Sequence, residues 1–118
     1  VICLDVLRVI GKHPECYEAL IEELSQSKGI DRDFDRALLH LPTERDSAMQ
    51  DLGRARQITE TLAKLWQAAL LLRHAPNFIA RAWCHARLGN DNLMTYQCFG
   101  TLPYGINKGL IIDRALSA

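Results

Sequence analysis

The chain has 118 residues, of which 48% are hydrophobic and 24% charged, and its 14 basic and 14 acidic side chains cancel. This composition excludes a disordered or fibrous chain, and the length leaves no room for two domains with separate cores. The longest apolar run covers only residues 68–72, which excludes a membrane span.

The first half of the chain contains signals for three helices. Residues 1–11 are apolar on several faces, which indicates a buried helical segment. A second, amphipathic helix is expected to begin at Pro14 and to end by Gly29. Asp31 or Asp33 caps a short third helix, and we expect Pro42 to stop it.

The second half begins with the longest predicted helix. Its apolar residues recur three and four apart from Met49 to Leu72, and Pro76 forces its end. A further helix covers residues 77–88 and stops at Gly89, whereas residues 90–104 have no clear pattern. Asn107 caps a last short helix over residues 108–116.

Helices joined by short loops bury their apolar stripes by packing on one another. The sequence therefore predicts one all-α domain over residues 1–118, an antiparallel helical bundle around one long central helix. The start of the chain lacks an initiator Met, a basic flank and a cleavage site, so we expect it to begin inside a longer protein.

No pattern of catalytic or metal-binding residues stands out. His13 with Cys16, and Cys84 with His85, are the close pairs of metal-ligand types, but helix neighbours point about 100° apart. The chain contains neither Gly-x-Ser-x-Gly nor a Gly-rich phosphate loop. We expect no catalytic, cofactor-binding or metal-binding residue here.

The cysteines are widely spaced and form no Cys-x-x-Cys pair, at positions Cys3, Cys16, Cys84 and Cys98. This spacing argues against a zinc ribbon and against a thioredoxin-like site. We expect reduced and mostly buried thiols, as is typical of a cytoplasmic protein.

Charge is unevenly distributed along the chain. Residues 1–50 carry six basic and ten acidic side chains, a net charge of −4, and residues 51–118 carry eight and four, a net charge of +4. Such a basic region attracts phosphates without regard to base sequence, although a solvated basic face without a partner is the alternative. The candidate DNA-contacting residues are Arg8, Lys12, Arg73, Arg81 and Arg87.

Four stretches of the sequence resemble one family. Residues 1–8, VICLDVLR, resemble the segment that closes the flavin-binding part of acyl-CoA dehydrogenases of the AidB type. Residues 28–37, KGIDRDFDRA, residues 68–76 followed by 82–84, and residues 99–103, FGTLP, look like the same branch. The resemblance covers nearly the whole chain, in order.

This resemblance implies a role within a larger protein. Such flavoproteins bind FAD between helical and β domains, form homotetramers and, in the AidB branch, append a C-terminal helical domain associated with DNA binding. The chain looks like that domain, with residues 1–8 as the tail of the preceding flavin-binding region. Since the family's catalytic carboxylate and most FAD contacts lie upstream, the fragment alone is expected to be no enzyme, whereas its parent resembles an FAD-dependent oxidoreductase acting on CH–CH groups.

The implied partners are the preceding flavin-binding domains, further copies in a homo-oligomer and double-stranded DNA, with no membrane. One alternative is a structural or oligomerisation module that does not bind DNA. Another is a pocket for an acyl chain along the stripe of Leu62, Trp66 and Ala69, although helix core is the commoner use of such a stripe.

Overall fold

A computed structural model of the chain describes residues 2–89 and 108–117, which contain helices and no strand. The elements are α1 Ile2–Lys12, α2 Pro14–Ser25, α3 Arg32–Gln50, a 3-10 helix Leu52–Arg54, α4 Ala55–His74, α5 Asn77–Leu88 and α6 Lys108–Ser117. The all-α prediction is confirmed. The predictions for residues 90–104 and for the Asn107 cap lie outside the described residues.

Several helix boundaries lie where local sequence signals predict them. Pro14 occupies the first turn of α2, and the side chain of Asp31 caps α3 by accepting the backbone N–H of Asp33 at 2.9 Å and that of Phe34 at 3.1 Å. Gly29, in the turn between these helices, has φ of 90°, which favours glycine. Its N–H donates to the carboxylate of Asp35.

The prediction that Pro42 stops the third helix is wrong. Helix α3 continues through Pro42 to Gln50. A proline inside a helix costs about 3 kcal/mol because it removes one hydrogen bond and crowds the preceding turn. Burial of Leu38 and Leu41 before the proline and of Ala48 after it offsets this cost, since one continuous face of α3 packs on the core.

The predicted start of the long helix near Met49 is also wrong. The chain leaves helical geometry at Asp51, which has φ of −132° and ψ of 99°, and α4 begins only at Ala55. The Asp51 carboxylate accepts the N–H of Gly53 at 3.0 Å and starts the 3-10 turn. A short acidic side chain that bonds to nearby backbone therefore divides an otherwise continuous apolar pattern.

Helix α4 contacts α1, α2, α3 and α5, whereas α6 contacts α5. Its residues Ile58, Leu65 and Ala68 are almost completely buried against side chains such as Phe34 and Cys84 of the neighbouring helices. The antiparallel order around one central helix stays a prediction. None of the described helices is long and apolar enough to cross a membrane.

Candidate functional site

Two of the five candidate DNA-contacting residues are exposed on α1. Lys12 lies in its last turn, and Arg8 donates to the carboxylate of Asp5 at 2.9 Å. Both partners of this ion pair are more than half exposed, so the pair contributes little and leaves Arg8 accessible. Arg81 is similarly exposed on α5.

Arg73 has a structural environment that the sequence did not predict. Its guanidinium donates to Oε1 of Glu23 at 2.8 Å, to the backbone carbonyl of Glu23 at 2.7 Å and to Oγ of Ser27 at 3.1 Å. Oγ of Ser27 in turn donates to the carbonyl of Ala69 at 3.2 Å. A cation that satisfies carbonyls at a helix end is favourable, so Arg73 fastens the end of α2 to α4. It can reach a phosphate only by giving up these bonds.

His85 lies four residues after Arg81 and so shares its side of α5, but the His85 ring makes a contact within the domain. Nδ1 of His85 lies 2.9 Å from Oδ2 of Asp33, and Oδ1 of Asp33 accepts from Arg36 at 2.7 Å. The Asp33 side chain is only 6% exposed. The Arg36 guanidinium and the His85 ring therefore flank the buried carboxylate, and their hydrogen bonds offset the free-energy cost of removing its charge from water.

Two further cations of the basic region have contacts within the domain. The guanidinium of Arg87 lies 5.1 Å from the centre of the Trp83 ring, a cation–π distance. Lys64 is buried, with Nζ 3.5 Å from Oε1 of Glu60. Part of the positive charge counted in residues 51–118 is therefore engaged by contacts within the domain.

Cys84 lies in the core beside the Asp33 cluster. Burial raises the pKa of its thiol to about 12, and the nearby carboxylates of Asp31 and Asp33 add to the effect. The thiol therefore stays protonated and unreactive near neutral pH. The prediction of buried thiols fits Cys84 but not Cys16, which is exposed, and Cys3 is half-buried. Among residues 2–89 and 108–117, no three side chains are grouped as a metal site would require.

The stripe of Leu62, Trp66 and Ala69 is divided between the core and the surface. Ala69 is 1% exposed and belongs to the core, whereas Trp66 is 40% exposed. Leu62 instead contributes to a separate apolar groove of about 350 Å³, which we call the α1–α2 groove. It is lined by Ile2, Asp5, Val6, Val9, Ile10, Cys16, Tyr17, Leu20 and Leu62.

We did not predict this groove from the sequence, and the Tyr17 side chain that lines it has an unusual environment. Tyr17 is 7% exposed, its hydroxyl has no hydrogen-bond partner among the described residues, and burial raises the pKa of this hydroxyl despite the opposing charge of Arg45. The guanidinium of Arg45 lies 4.7 Å from the centre of the ring. The available signal was the presence of apolar residues on several faces of α1, because one core contact cannot bury all of these faces.

Comparison with known proteins places this geometry in context. No family model and no solved structure matches the chain. Over 88 residues, or 75% of its length, the chain is 40% identical to a protein of Escherichia coli (strain K12) described as "Putative acyl-CoA dehydrogenase AidB". The aligned part spans only 16% of that protein. This identity confirms the family resemblance that the four sequence stretches indicate.

Proposed function

Because the chain is related to a portion of an AidB-type acyl-CoA dehydrogenase, we propose that it is the C-terminal accessory helical domain of an FAD-dependent flavoprotein. The domain has no catalytic role alone and packs against the flavin-binding domains that precede it. The sequence identity supports the family, and the all-α fold fits an appended helical domain rather than a β or nucleotide-binding part.

The observation that carries the non-catalytic assignment is how the polar side chains of the interior are used. Arg73, His85 and Asp33 each bond across helices, and Cys84 is held protonated. Within the described residues, these groups serve packing rather than converging on a cavity as a nucleophile and base would. Such an interior stabilises a domain and supplies no reaction centre.

The test combines an FAD-binding and activity assay with inspection of the coding region that precedes this chain. The purified chain is titrated with FAD while flavin fluorescence is followed, and it is then supplied with acyl-CoA and an electron acceptor. We expect no flavin binding and no acyl-CoA oxidation. The coding region before Val1 should encode a flavoenzyme body in the same frame. A yellow chain that turns over acyl-CoA contradicts the non-catalytic role, and an unrelated upstream protein contradicts the accessory role.

A second candidate function, weak contact with double-stranded DNA, is favoured by one observation. Lys12 and Arg81 are exposed and form no ion pair with any other described residue, and the exposed pair of Arg8 is easily broken. These cations attract phosphates without reading bases. Arg87 adds to them, whereas the contribution of Arg73 is opposed by its bonds to Glu23 and Ser27.

The alternative of a structural or oligomerisation module also has support in the structure. Large apolar side chains are exposed at both ends of the described chain, including Ile2 and Val9 on α1 and Ile112 and Leu116 on α6. Exposed apolar patches of this kind mark surfaces that contact other proteins. This role is compatible with an accessory domain, because flavoproteins of the family that the chain resembles assemble from several copies.

A further inference from the structure

The outer face of α3 carries three exposed residues at intervals of seven. They are Arg32 at the start of the helix, Leu39, which is 71% exposed, and Asp46, whose side chain is 64% exposed. Seven residues make almost two full turns of an α-helix, so the three side chains lie in one line. We call this line the α3 stripe. The opposite face of α3 packs in the core through Phe34 and Leu41.

The α3 stripe is separate from the side of α3 that α1 approaches. Helix α1 contacts α3 at Gly11, where a methyl group added to the glycine would lie 3.0 Å from Cε of Met49. Met49 comes ten positions after Leu39 and therefore points about 80° away around the helix. Leu39 is thus exposed on a side of α3 that neither the core nor α1 covers.

The α3 stripe carries opposite charges at its two ends. Arg32 is exposed and forms no ion pair with any other described residue. Asp46 accepts from Arg45 at 3.0 Å, but this pair is exposed and contributes little, so the carboxylate remains able to bind a second cation. The same apolar residue, Leu39, therefore lies seven positions from a cation on one side and seven positions from an anion on the other.

We propose that two copies of the chain associate through their α3 stripes, antiparallel and related by a two-fold axis beside Leu39. Leu39 of each copy then contacts Leu39 of the other. Arg32 of each copy lies opposite Asp46 of the other, because both are seven positions from the axis. The contact contains two equivalent Arg–Asp pairs about 21 Å apart along the helices. A parallel pairing would instead place Arg32 against Arg32, so the charges select the antiparallel arrangement.

The remaining side chains of this face fit the same arrangement. Symmetry places Asp35 opposite Thr43 of the second copy and Arg36 opposite Pro42, so no like charges meet. The carboxylate of Asp35 and the guanidinium of Arg36 already have partners within their own copy and need none across the contact. A contact through one helix of each copy buries less area than a standard interface, so the dimer is weak and forms at high protein concentration.

Sedimentation equilibrium of the whole chain over a range of concentrations measures the dissociation constant of the dimer. Leu39→Glu places two like charges at the axis, and we expect it to raise this constant by at least about tenfold. The matched control is Leu116→Glu, because Leu116 is 81% exposed on α6 and lies outside the α3 stripe. This variant should associate as the wild type does.

Charge reversal distinguishes the proposed contact from any other. Arg32→Glu and Asp46→Lys each put like charges opposite each other at both ends of the contact, so each alone should weaken the dimer about tenfold. An equimolar mixture of these two variants should recover association as a heterodimer, because the two reversed side chains face each other and the two original ones do too. The double variant that carries both changes should dimerise with itself for the same reason.

The substitutions should leave the fold intact. A negative charge at the start of α3 and a positive charge near its end suit the helix dipole, and Leu39 is exposed. Circular dichroism checks each variant, and Leu39→Lys replaces Leu39→Glu if the latter loses helix. A wild-type chain that stays monomeric at every concentration, or equal dissociation constants for Leu39→Glu and Leu116→Glu, overturns the proposal. A mixture of the charge variants that associates no better than either variant alone overturns it as well.

Discussion

The carboxylate of Asp33, in the first turn of α3, lies 2.9 Å from Nδ1 of His85 on α5, and it is almost completely buried there. Arg36 donates to the other oxygen of the same carboxylate at 2.7 Å. The contact joins residues 52 positions apart in sequence. It therefore anchors the start of α3 on α5, the helix that also carries the exposed Arg81.

Replacing Asp33 with Asn tests this anchor. The amide keeps the shape of the side chain but loses the negative charge that His85 and Arg36 face. Its NH₂ group also replaces one of the two carboxylate oxygens and cannot accept a hydrogen bond from either partner. We expect a loss of about 1–3 kcal/mol in the free energy of unfolding, measured by urea denaturation. The control is Asp46→Asn, because Asp46 forms an exposed pair with Arg45 and should change stability by less than about 1 kcal/mol. Equal effects of the two substitutions contradict a special role for Asp33.

Arg73→Lys tests the contact between α2 and α4. A lysine keeps the positive charge, but one ammonium group cannot reach Glu23 and Ser27 with the planar geometry of a guanidinium. We expect the free energy of unfolding to fall by about 1–3 kcal/mol, as for other hydrogen bonds to charged groups. Arg81→Lys, at an exposed site, should be neutral in the same urea titration. If Arg73→Lys is neutral too, the three bonds add nothing to stability.

Local sequence signals predicted the parts of the fold that depend on nearby residues. The Pro14 start, the Asp31 cap and the bounds of α5 follow from steric and hydrogen-bonding preferences within one turn. The same local preferences did not predict that α3 continues through Pro42 or that the helix breaks at Asp51. Each of these depends on the balance between a local preference and burial against other helices. Long-range packing energies of this kind are not visible in residue spacing.

The candidate site shows the same limit. Counting charges identified the basic region, but it did not show which of the cations form hydrogen bonds or ion pairs within the domain. Arg73 and Glu23 are 50 positions apart, and no spacing rule brings them together. Exposure of Lys12 and Arg81 likewise depends on which faces of α1 and α5 the core covers. The DNA-contacting role of the five residues therefore stays a prediction, and charge alone did not show which of them the fold already engages.

Pro42→Ala should stabilise the chain. Alanine restores the backbone N–H that proline lacks and removes the clash of the ring with the preceding turn of α3. Part of this gain is lost because proline also restricts the unfolded chain, by about 0.4–1 kcal/mol. We expect a net gain of about 1–2 kcal/mol in a urea titration, with a small rise in helical circular dichroism. Lower stability would show that the restriction of the unfolded chain by proline outweighs the restored hydrogen bond.

The buried thiol of Cys84 makes stability depend on pH in the alkaline range. Its pKa rises from an ordinary 9.0 to about 12 in the folded chain, mainly because of burial. Below about pH 9 neither state ionises this thiol, so the full stability is present; above that pH the unfolded state loses the proton first, and stability falls until the folded thiol also ionises. Cys84→Ala should reduce the difference in unfolding free energy between about pH 8 and about pH 10. An unchanged difference contradicts the raised pKa.

The last prediction concerns DNA. Binding of labelled duplex should be weak, independent of base sequence and reduced by salt, since it rests on exposed cations at about three or four phosphates. Release of counterions from these phosphates gives a slope of about −2.7 to −3.6 in a plot of log binding constant against log salt concentration. The double variant Lys12→Glu and Arg81→Glu should flatten this slope, whereas Lys28→Glu with Arg32→Glu, an equal charge change at exposed sites of the acidic half, should alter it little. Arg73 is left unchanged because its loss would disturb the fold. If no binding occurs even at about 20 mM salt, where the screening length is roughly 20 Å, the domain does not bind DNA and its accessory role is structural.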